Sequence, residues 1–201
     1  MATIVSDRTP YGNDGTNHGA TIGSDGASFD GENDYIEITD NDYLDIGEYI
    51  TIASWVKLDN IREDVYETFV GKLSASGFSY DGPYSLWAWR GGLSSNGISF
   101  RITSVNAGVQ TVNTDEIPEQ NKWYFIVGTY DGSIMKIYQD GVLMNSHSTS
   151  GSILETNMPL KFGDWDNGED MFQGNMSNVK IYNRALSADE VKLLYDRSRY
   201  N

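Results

Sequence analysis

The sequence contains no cysteine, which excludes disulfide bonds and metal sites built on thiolates. Only two histidines occur, His18 and His147, and neither lies in a setting that indicates zinc binding or catalysis. No apolar run approaches the roughly 20 residues of a membrane-spanning helix, so we expect no membrane insertion. Residues 1–11 lack the basic and apolar regions of a signal peptide. We therefore expect either that the protein is not exported by that route or that the chain is one module of a larger parent protein.

Basic residues are also scarce. The chain has 14 Lys and Arg against 29 Asp and Glu, which gives a formal net charge of −15. Affinity for nucleic acid comes from cations that meet phosphates, so we exclude nucleic acid as a partner. An anionic membrane is disfavoured for the same reason. Divalent cations or neutral ligands suit this charge better, although a solvated acidic surface alone also explains it.

The residues that are abundant point to β-structure. The chain has 13 Tyr, 7 Phe, 5 Trp and 21 Gly, and its short runs of β-branched and aromatic residues favour strands. Asp131-Gly132 and Asp140-Gly141 each separate two such runs, which predicts a three-strand antiparallel meander with positive φ at the turns. Residues 6–24, rich in Gly, Asn and Asp, are typical of an irregular loop.

One helix is predicted near the C-terminus. Ser187 followed by Glu190 forms a capping box, in which a hydroxyl caps the first turn and a carboxylate reaches back to it. Val191, Leu194 and Tyr195 then fall on one helix face, which we expect to pack on the edge of a sandwich. About 200 residues commonly form one all-β domain. We therefore predict a single domain over residues 1–201, a two-sheet antiparallel β-sandwich or jelly roll with one short C-terminal helix.

Four blocks carry a resemblance to a known family. Residues 26–38 (GASFDGENDYIEI), 52–56 (IASWV), 123–141 and 172–187 (FQGNMSNVKIYNRALS) resemble, in this order, strands of laminin-G-like, concanavalin A-like jelly rolls. Pentraxins share the last block in similar form. The resemblance implies a binding module, often attached to bacterial glycan-degrading enzymes or surface adhesins. The same fold also hosts glucanases and lyases, so the fold alone does not give the function.

The densest cluster of oxygen ligands is an acidic loop, residues 164–170. Calcium takes six to eight oxygen ligands, and carboxylates, amides and carbonyls supply them. In pentraxins the corresponding loop carries calcium ligands, and an earlier acidic turn, here at Asp81, contributes another. The resemblance thus implies calcium, with a solvated acidic turn as the open alternative. The expected ligands are Asp81, Asp164, Asp166, Glu169 and Asp170.

A second calcium site is implied by the resemblance near Asp30 and Asp34, because related jelly rolls hold a structural calcium between the N-terminal region and the last strand. Asn178 stands where many relatives carry an aspartate, which weakens this expectation. Asp30 and Asp34 as ordinary turn residues are the alternative.

Sugar binding needs an exposed aromatic face beside fixed polar groups. Trp165 lies inside the acidic loop, where a role in a strand core is not expected, and both a ligand platform and a packing cap remain open for it. Trp87 and Trp89 have the same parity on one strand and so face one side, with core packing as the favoured interpretation. The predicted ligand-binding residues are Tyr80, Tyr84, Trp89, Trp165 and Asn167.

Catalysis is not expected. Glucanases of this fold need carboxylates clustered on one strand, in a Glu-x-Asp-x-x-Glu-like pattern, and the chain has no such run. The hypothesis is therefore a non-catalytic carbohydrate-binding module, calcium-dependent or calcium-stabilised, located outside the cell or on a cell or virion surface. Its partners would be a glycan or polysaccharide and, in a larger parent, other domains. A structural or adhesive module is the alternative, and a glycan-active enzyme of the same fold a minor one.

Overall fold

The computed structural model describes residues 3–60, 62, 66–72, 82–89, 97–164 and 171–198. Within these residues the chain forms fifteen strands and one helix. The strands are β1 (Thr3–Val5), β2 (Gly15–His18), β3 (Thr21–Gly23), β4 (Gly26–Asp30), β5 (Tyr35–Ile38), β6 (Ile50–Leu58), β7 (Tyr66–Lys72), β8 (Tyr84–Trp89), β9 (Gly97–Ser104), β10 (Gly108–Asn113), β11 (Trp123–Tyr130), β12 (Ile134–Gln139), β13 (Val142–Ser148), β14 (Leu160–Phe162) and β15 (Gln173–Tyr182), and the helix is α1 (Ala188–Ser198).

The strands form two antiparallel sheets. The eight-stranded sheet has the order β1-β2-β5-β14-β7-β8-β9-β10, and the seven-stranded sheet has the order β13-β12-β11-β6-β15-β4-β3. Consecutive strands often lie in different sheets, as in a jelly roll. The predicted all-β sandwich with one short C-terminal helix is therefore confirmed. In the described part of the chain, no helix is both long enough and apolar enough to cross a membrane.

The core is the apolar layer between the two sheets. On β9, Ile98, Phe100 and Ile102 are fully buried in this layer, and they alternate with small or polar residues. Because successive side chains of a strand point to opposite faces, the residues between them must face outward. The same alternation along β8 decides which of its side chains can contact a ligand.

A second apolar cluster covers the outer face of the seven-stranded sheet. Val191 of α1 packs against Phe125 and Val127, so the helix lies on this face rather than at the edge of the sandwich. The predicted capping box is confirmed, because Glu190 N donates to Ser187 Oγ at 3.3 Å and Ser187 N donates to Glu190 Oε2 at 2.9 Å. Hydrogen bonds from Arg184 and Ser187 lower the pKa of Glu190 to about 2.

The predicted meander β11-β12-β13 is confirmed, but its two turns differ. Asp140 and Gly141 both have positive φ, 53° and 79°, as a two-residue hairpin turn of this kind requires. At the first turn only Gly132 has positive φ. There Asp131 instead accepts hydrogen bonds at Oδ1 from the backbone N–H groups of Ser133 (3.0 Å) and Ile134 (2.7 Å).

The expectation of an irregular loop over residues 6–24 is wrong, because β2 and β3 lie within it. β2 pairs with β5, with Gly15 opposite Ile38. A Cβ atom at Gly15 would lie 2.6 Å from Ile36 Cγ2, so a glycine is needed for the close approach of the two strands. The composition indicated a loop because these strands are short and contain the same small and polar residues as turns.

A close approach between the two sheets gives a stability prediction. A Cβ atom at Gly128 would lie 2.3 Å from Phe100 Cγ of the opposite sheet. We expect Gly128→Ala to lower the free energy of unfolding by about 1–3 kcal/mol, since the ring cannot move without displacing the core. Gly23→Ala is the matched control, because its Cβ would meet only Gly26 O, at 3.9 Å. Urea denaturation that shows equal effects for the two variants would contradict this packing.

Candidate functional site

The outward side chains of β8 place large aromatic residues outside the core. Tyr84, Leu86 and Ala88 point into the core, so Trp87 and Trp89 point to the outer face of the eight-stranded sheet. The prediction that the two tryptophans face one side is correct. Trp87 is buried, as the core-packing interpretation expects, but it lies outside the layer between the sheets, and Trp89 is only partly buried. They form a separate aromatic cluster with Tyr66 of β7, here called the aromatic cluster (Tyr66, Trp87 and Trp89).

The aromatic cluster has two levels. Trp87 is only 6 % exposed and meets the ring of Tyr66 edge-on, with centroids 5.0 Å apart and an interplanar angle of 69°. Tyr66 stacks on Trp89, with centroids 5.7 Å apart and an angle of 12°, and both of these residues are partly exposed. Trp87 thus supports two nearly parallel rings that reach the surface.

Hydroxyl groups flank the buried tryptophan. The strand register places Thr68 of β7 and Ser99 of β9 on either side of Trp87. Thr68 Oγ1 and Ser99 Oγ are buried, and neither has a hydrogen-bond partner among the residues that the structure describes. Buried polar atoms are normally hydrogen-bonded, so these two hydroxyls hold bonding capacity for a water or a ligand group.

The next row of the same face is polar and charged. Its register runs across five strands as Glu37, Lys161, Gly71, Ser85 and Arg101. Because Gly71 has no side chain, nothing projects from β7 at this position of the row. The two cations, Lys161 and Arg101, are more than nine-tenths buried.

Asp164, a predicted calcium ligand, forms an ion pair with Lys161 of this row. Its Oδ2 accepts a hydrogen bond from Lys161 Nζ at 2.9 Å, and both residues are buried. The same ammonium lies 3.9 Å from Glu37 Oε2 and 4.9 Å from the ring centroid of Tyr35. One oxygen of the first carboxylate in the acidic loop therefore pairs with a lysine.

Most residues of the predicted site lie outside the described part of the chain. These residues are Tyr80, Asp81, Trp165, Asp166, Asn167, Glu169 and Asp170.

Tyr84 does not have the predicted ligand-binding role. Its side chain is 1 % exposed and points into the core, where its hydroxyl donates a hydrogen bond to Leu44 O at 2.9 Å. Burial, and the nearby charges of Asp45 and Asp40, raise the pKa of Tyr84. The reason is strand parity, since Tyr84 has the opposite parity to Trp87 and Trp89.

Asp30 and Asp34 lie together and stabilise their own turn. Asp30 Oδ1 accepts hydrogen bonds from the N–H groups of Glu32 (2.8 Å) and Asn33 (3.2 Å), and these bonds lower the pKa of Asp30. Asp34 Oδ2 accepts from Asp30 N at 3.1 Å, while burial raises the pKa of Asp34. Over the described ranges no three acidic or histidine side chains group as metal ligands, and calcium at Asp30 and Asp34 stays a prediction.

A buried ion pair that the sequence did not reveal anchors the segment after the acidic loop. Glu67 of β7 is fully buried and accepts hydrogen bonds from Arg62 Nε (2.8 Å) and Gln173 N (3.0 Å). Arg62 also donates to Met171 O. Residues 171–173 are thereby tied to the strand that carries Tyr66.

The described residues thus form an antiparallel jelly roll with aromatic rings on the outer face of one sheet. Residues 30–192 match the family described as Laminin_G_3, the concanavalin A-like lectin/glucanases superfamily, and the chain belongs to it. The resemblance found in the sequence is thus confirmed. A comparison with curated protein sequences finds no match.

Solved structures share the fold at low sequence identity. Domain 4 of AbnA, a GH43 extracellular arabinanase from Geobacillus stearothermophilus, in complex with arabinotriose, is 20% identical, with a TM-score of 0.67, over 96% of this chain and 87% of that domain. The botulinum neurotoxin serotype D ligand binding domain in complex with N-acetylneuraminic acid is 16% identical, with a TM-score of 0.71, over 98% of this chain and 50% of that one. The chain therefore spans about half the length of that toxin domain.

The anchoring ion pair gives a prediction about stability. Arg62→Met leaves the fully buried Glu67 carboxylate without its cation, and we expect a loss of about 3 kcal/mol in the free energy of unfolding. Lys57→Met is the matched control, because both cation side chains are 26% exposed but Asp59, the partner of Lys57, is 40% exposed. The control should change stability by less than about 1 kcal/mol. Chemical denaturation that ranks the variants the other way would contradict the anchoring role.

Proposed function

We propose that the chain is a non-catalytic carbohydrate-binding module whose ligand stacks on the aromatic cluster. The observation that carries the proposal is that Tyr66 and Trp89 form partly exposed, nearly parallel rings outside the core. A protein gains nothing in core packing from two large rings on an outer face. Such rings are common where a ligand with both apolar and polar surface binds.

The chemistry of a sugar suits this arrangement. The C–H face of a pyranose or furanose ring packs on an aromatic ring, and its hydroxyls exchange hydrogen bonds with fixed polar groups. Thr68 and Ser99 hold buried hydroxyls beside Trp87, on strands whose positions are fixed by pairing, and a bridging water would connect them to a sugar. Because the chain carries a net charge of −15, neutral glycans are favoured over polyanionic ones.

The similar structures support a role in glycan binding outside the cell. One is a domain of an extracellular arabinanase in complex with arabinotriose, and another is a toxin domain in complex with N-acetylneuraminic acid. By analogy with these two proteins, we propose that this chain is secreted or located on a surface. The two carboxylates at Lys161, Glu37 and Asp164, are neighbours of its ammonium, which supports an ion-pair role over a catalytic one.

The first test removes the exposed rings. We expect Trp89→Ala and Tyr66→Ala each to weaken oligosaccharide binding about tenfold or more, because truncating an aromatic anchor commonly costs about 1.4 kcal/mol or more. The measurement is calorimetric titration with a ligand chosen by glycan array, arabino-oligosaccharides included. Trp123→Ala is the control, since this ring is partly exposed on the outer face of the opposite sheet.

Two results would count against the proposal. Equal losses for Trp89→Ala and Trp123→Ala would remove the assigned face. A folded wild-type protein that binds no glycan on the array, with and without calcium, would favour the structural or adhesive alternative.

Calcium binding is a separate proposal, which rests on the acidic composition of residues 164–170 and on Asp81. A cation bound only to the folded chain would stabilise it by mass action. We therefore expect EDTA to lower the melting temperature and calcium to restore it, with magnesium less effective because it demands a stricter geometry. A melting temperature that is the same in EDTA and in calcium, with no metal found by elemental analysis, would remove calcium from the account.

A further inference from the structure

A small cavity lies on the opposite side of the molecule from the aromatic cluster, between β15 and α1. Its volume is about 220 Å³, and it is lined by Asn178, Lys180, Leu194, Arg197 and Ser198. We call it the β15–α1 cavity. Its size is below the usual range for drug-sized ligands, so it suits a small chemical group.

The walls of the β15–α1 cavity are held in place by the fold. The pairing of β15 with β6 shifts register between Ser177 and Lys180, and Asn178 at this bulge has a positive φ of 53°. A bulge of this kind redirects side chains locally. At the other wall, Ser198 Oγ accepts a hydrogen bond from Trp55 Nε1 at 2.9 Å and donates one to Tyr195 O at 3.3 Å.

The cavity gathers cations in a strongly acidic chain. Lys180 and Arg197 line it, and burial together with the positive charge of nearby Arg8 lowers the pKa of Lys180. Within the described ranges, neither Lys180 nor Arg8 is among the cations that lie within 4 Å of a carboxylate oxygen. Asp7, adjacent to Arg8, uses both carboxylate oxygens in hydrogen bonds to Thr9 and Asn13.

This arrangement is unexpected for the composition. Carboxylates outnumber basic side chains 29 to 14, so this composition would lead one to expect a carboxylate beside Lys180. Holding a half-buried ammonium near a second cation costs free energy, because both desolvation and repulsion act against the charged form. An anion in the cavity would remove both costs at once.

We propose that the β15–α1 cavity binds a small oxyanion, a phosphate, sulfate or carboxylate group, between Lys180 and Arg197, with the positive charge of Arg8 near Lys180. The Asn178 amide can donate a further hydrogen bond, and Leu194 gives an apolar wall for whatever bears the anionic group. This site lies on the seven-stranded sheet, so its success or failure is independent of glycan binding on the eight-stranded sheet.

The test is a titration of the folded protein followed by NMR, with inorganic phosphate, inorganic sulfate or glucuronate added against sodium chloride at constant ionic strength. We expect saturable shifts of the backbone amide signals of residues 178–180 and 194–198. Lys180→Gln should weaken the binding about tenfold, since it removes one charge-assisted contact. Arg8→Gln should weaken it less, since it removes only a nearby positive charge. Saturation by phosphate and sulfate indicates a free or esterified oxyanion, whereas saturation by glucuronate alone indicates an acidic sugar.

Lys136→Gln is the matched control, because Lys136 lies on β12, three strands from β15 in the same sheet, and is partly exposed. It removes the same charge and should leave the affinity unchanged. Shifts that do not saturate, or an equal loss for Lys136→Gln and Lys180→Gln, would overturn the proposal.

Thermal melting separates an anion site from a purely structural lysine. Without added anion, Lys180→Met should melt at the same temperature as the wild type or higher, because it removes a desolvated charge that repels Arg8. Phosphate or sulfate should raise the melting temperature of the wild type but not of Lys180→Met. A lower melting temperature for Lys180→Met in chloride, together with equal responses of both proteins to phosphate, would show a structural role only.

Discussion

The apolar layer between the two sheets is the constraint on which the rest of the structure depends. Each strand must direct every second side chain into this layer, and so the alternate side chains are directed outward. On β8 the inward set includes Tyr84 and Leu86, and the outward set includes Trp87 and Trp89. The same alternation that fills the core thus builds the aromatic cluster, on strands that pairing holds rigidly.

The two outer faces of the sandwich are used differently. On the seven-stranded sheet, α1 covers Phe125 and Val127, and it forms one wall of the β15–α1 cavity. On the eight-stranded sheet, aromatic and polar side chains lie in successive rows. The polar row contains buried ion pairs such as that of Lys161 with Asp164. The anionic ligand that we infer and the glycan that we propose therefore belong to opposite faces of the sandwich.

Local chemistry made part of this structure predictable from the sequence. The capping box at Ser187 and the strands around Asp140 need only residues near in the chain, and both were correctly predicted. The side that Trp87 and Trp89 share was predictable too, but which side faced the core was not, because both parities of β8 are rich in apolar residues. That choice is made by the pairing of β8 with β7 and β9, as is the placement of Tyr66 beside Trp89. The calcium hypothesis stays a prediction.

The assignment of the aromatic cluster as the glycan site can be tested most directly through the indole N–H signals of the five tryptophans in an NMR titration with a bound oligosaccharide. Trp55 donates to Ser198 beneath the helix, and Trp123 lies on the opposite sheet, so these two signals serve as internal references. We expect the signals of Trp87 and Trp89 to shift with saturation while the two reference signals stay in place. Saturable shifts of the Trp165 signal with unchanged Trp87 and Trp89 signals would contradict this expectation and would assign the ligand to the acidic loop instead.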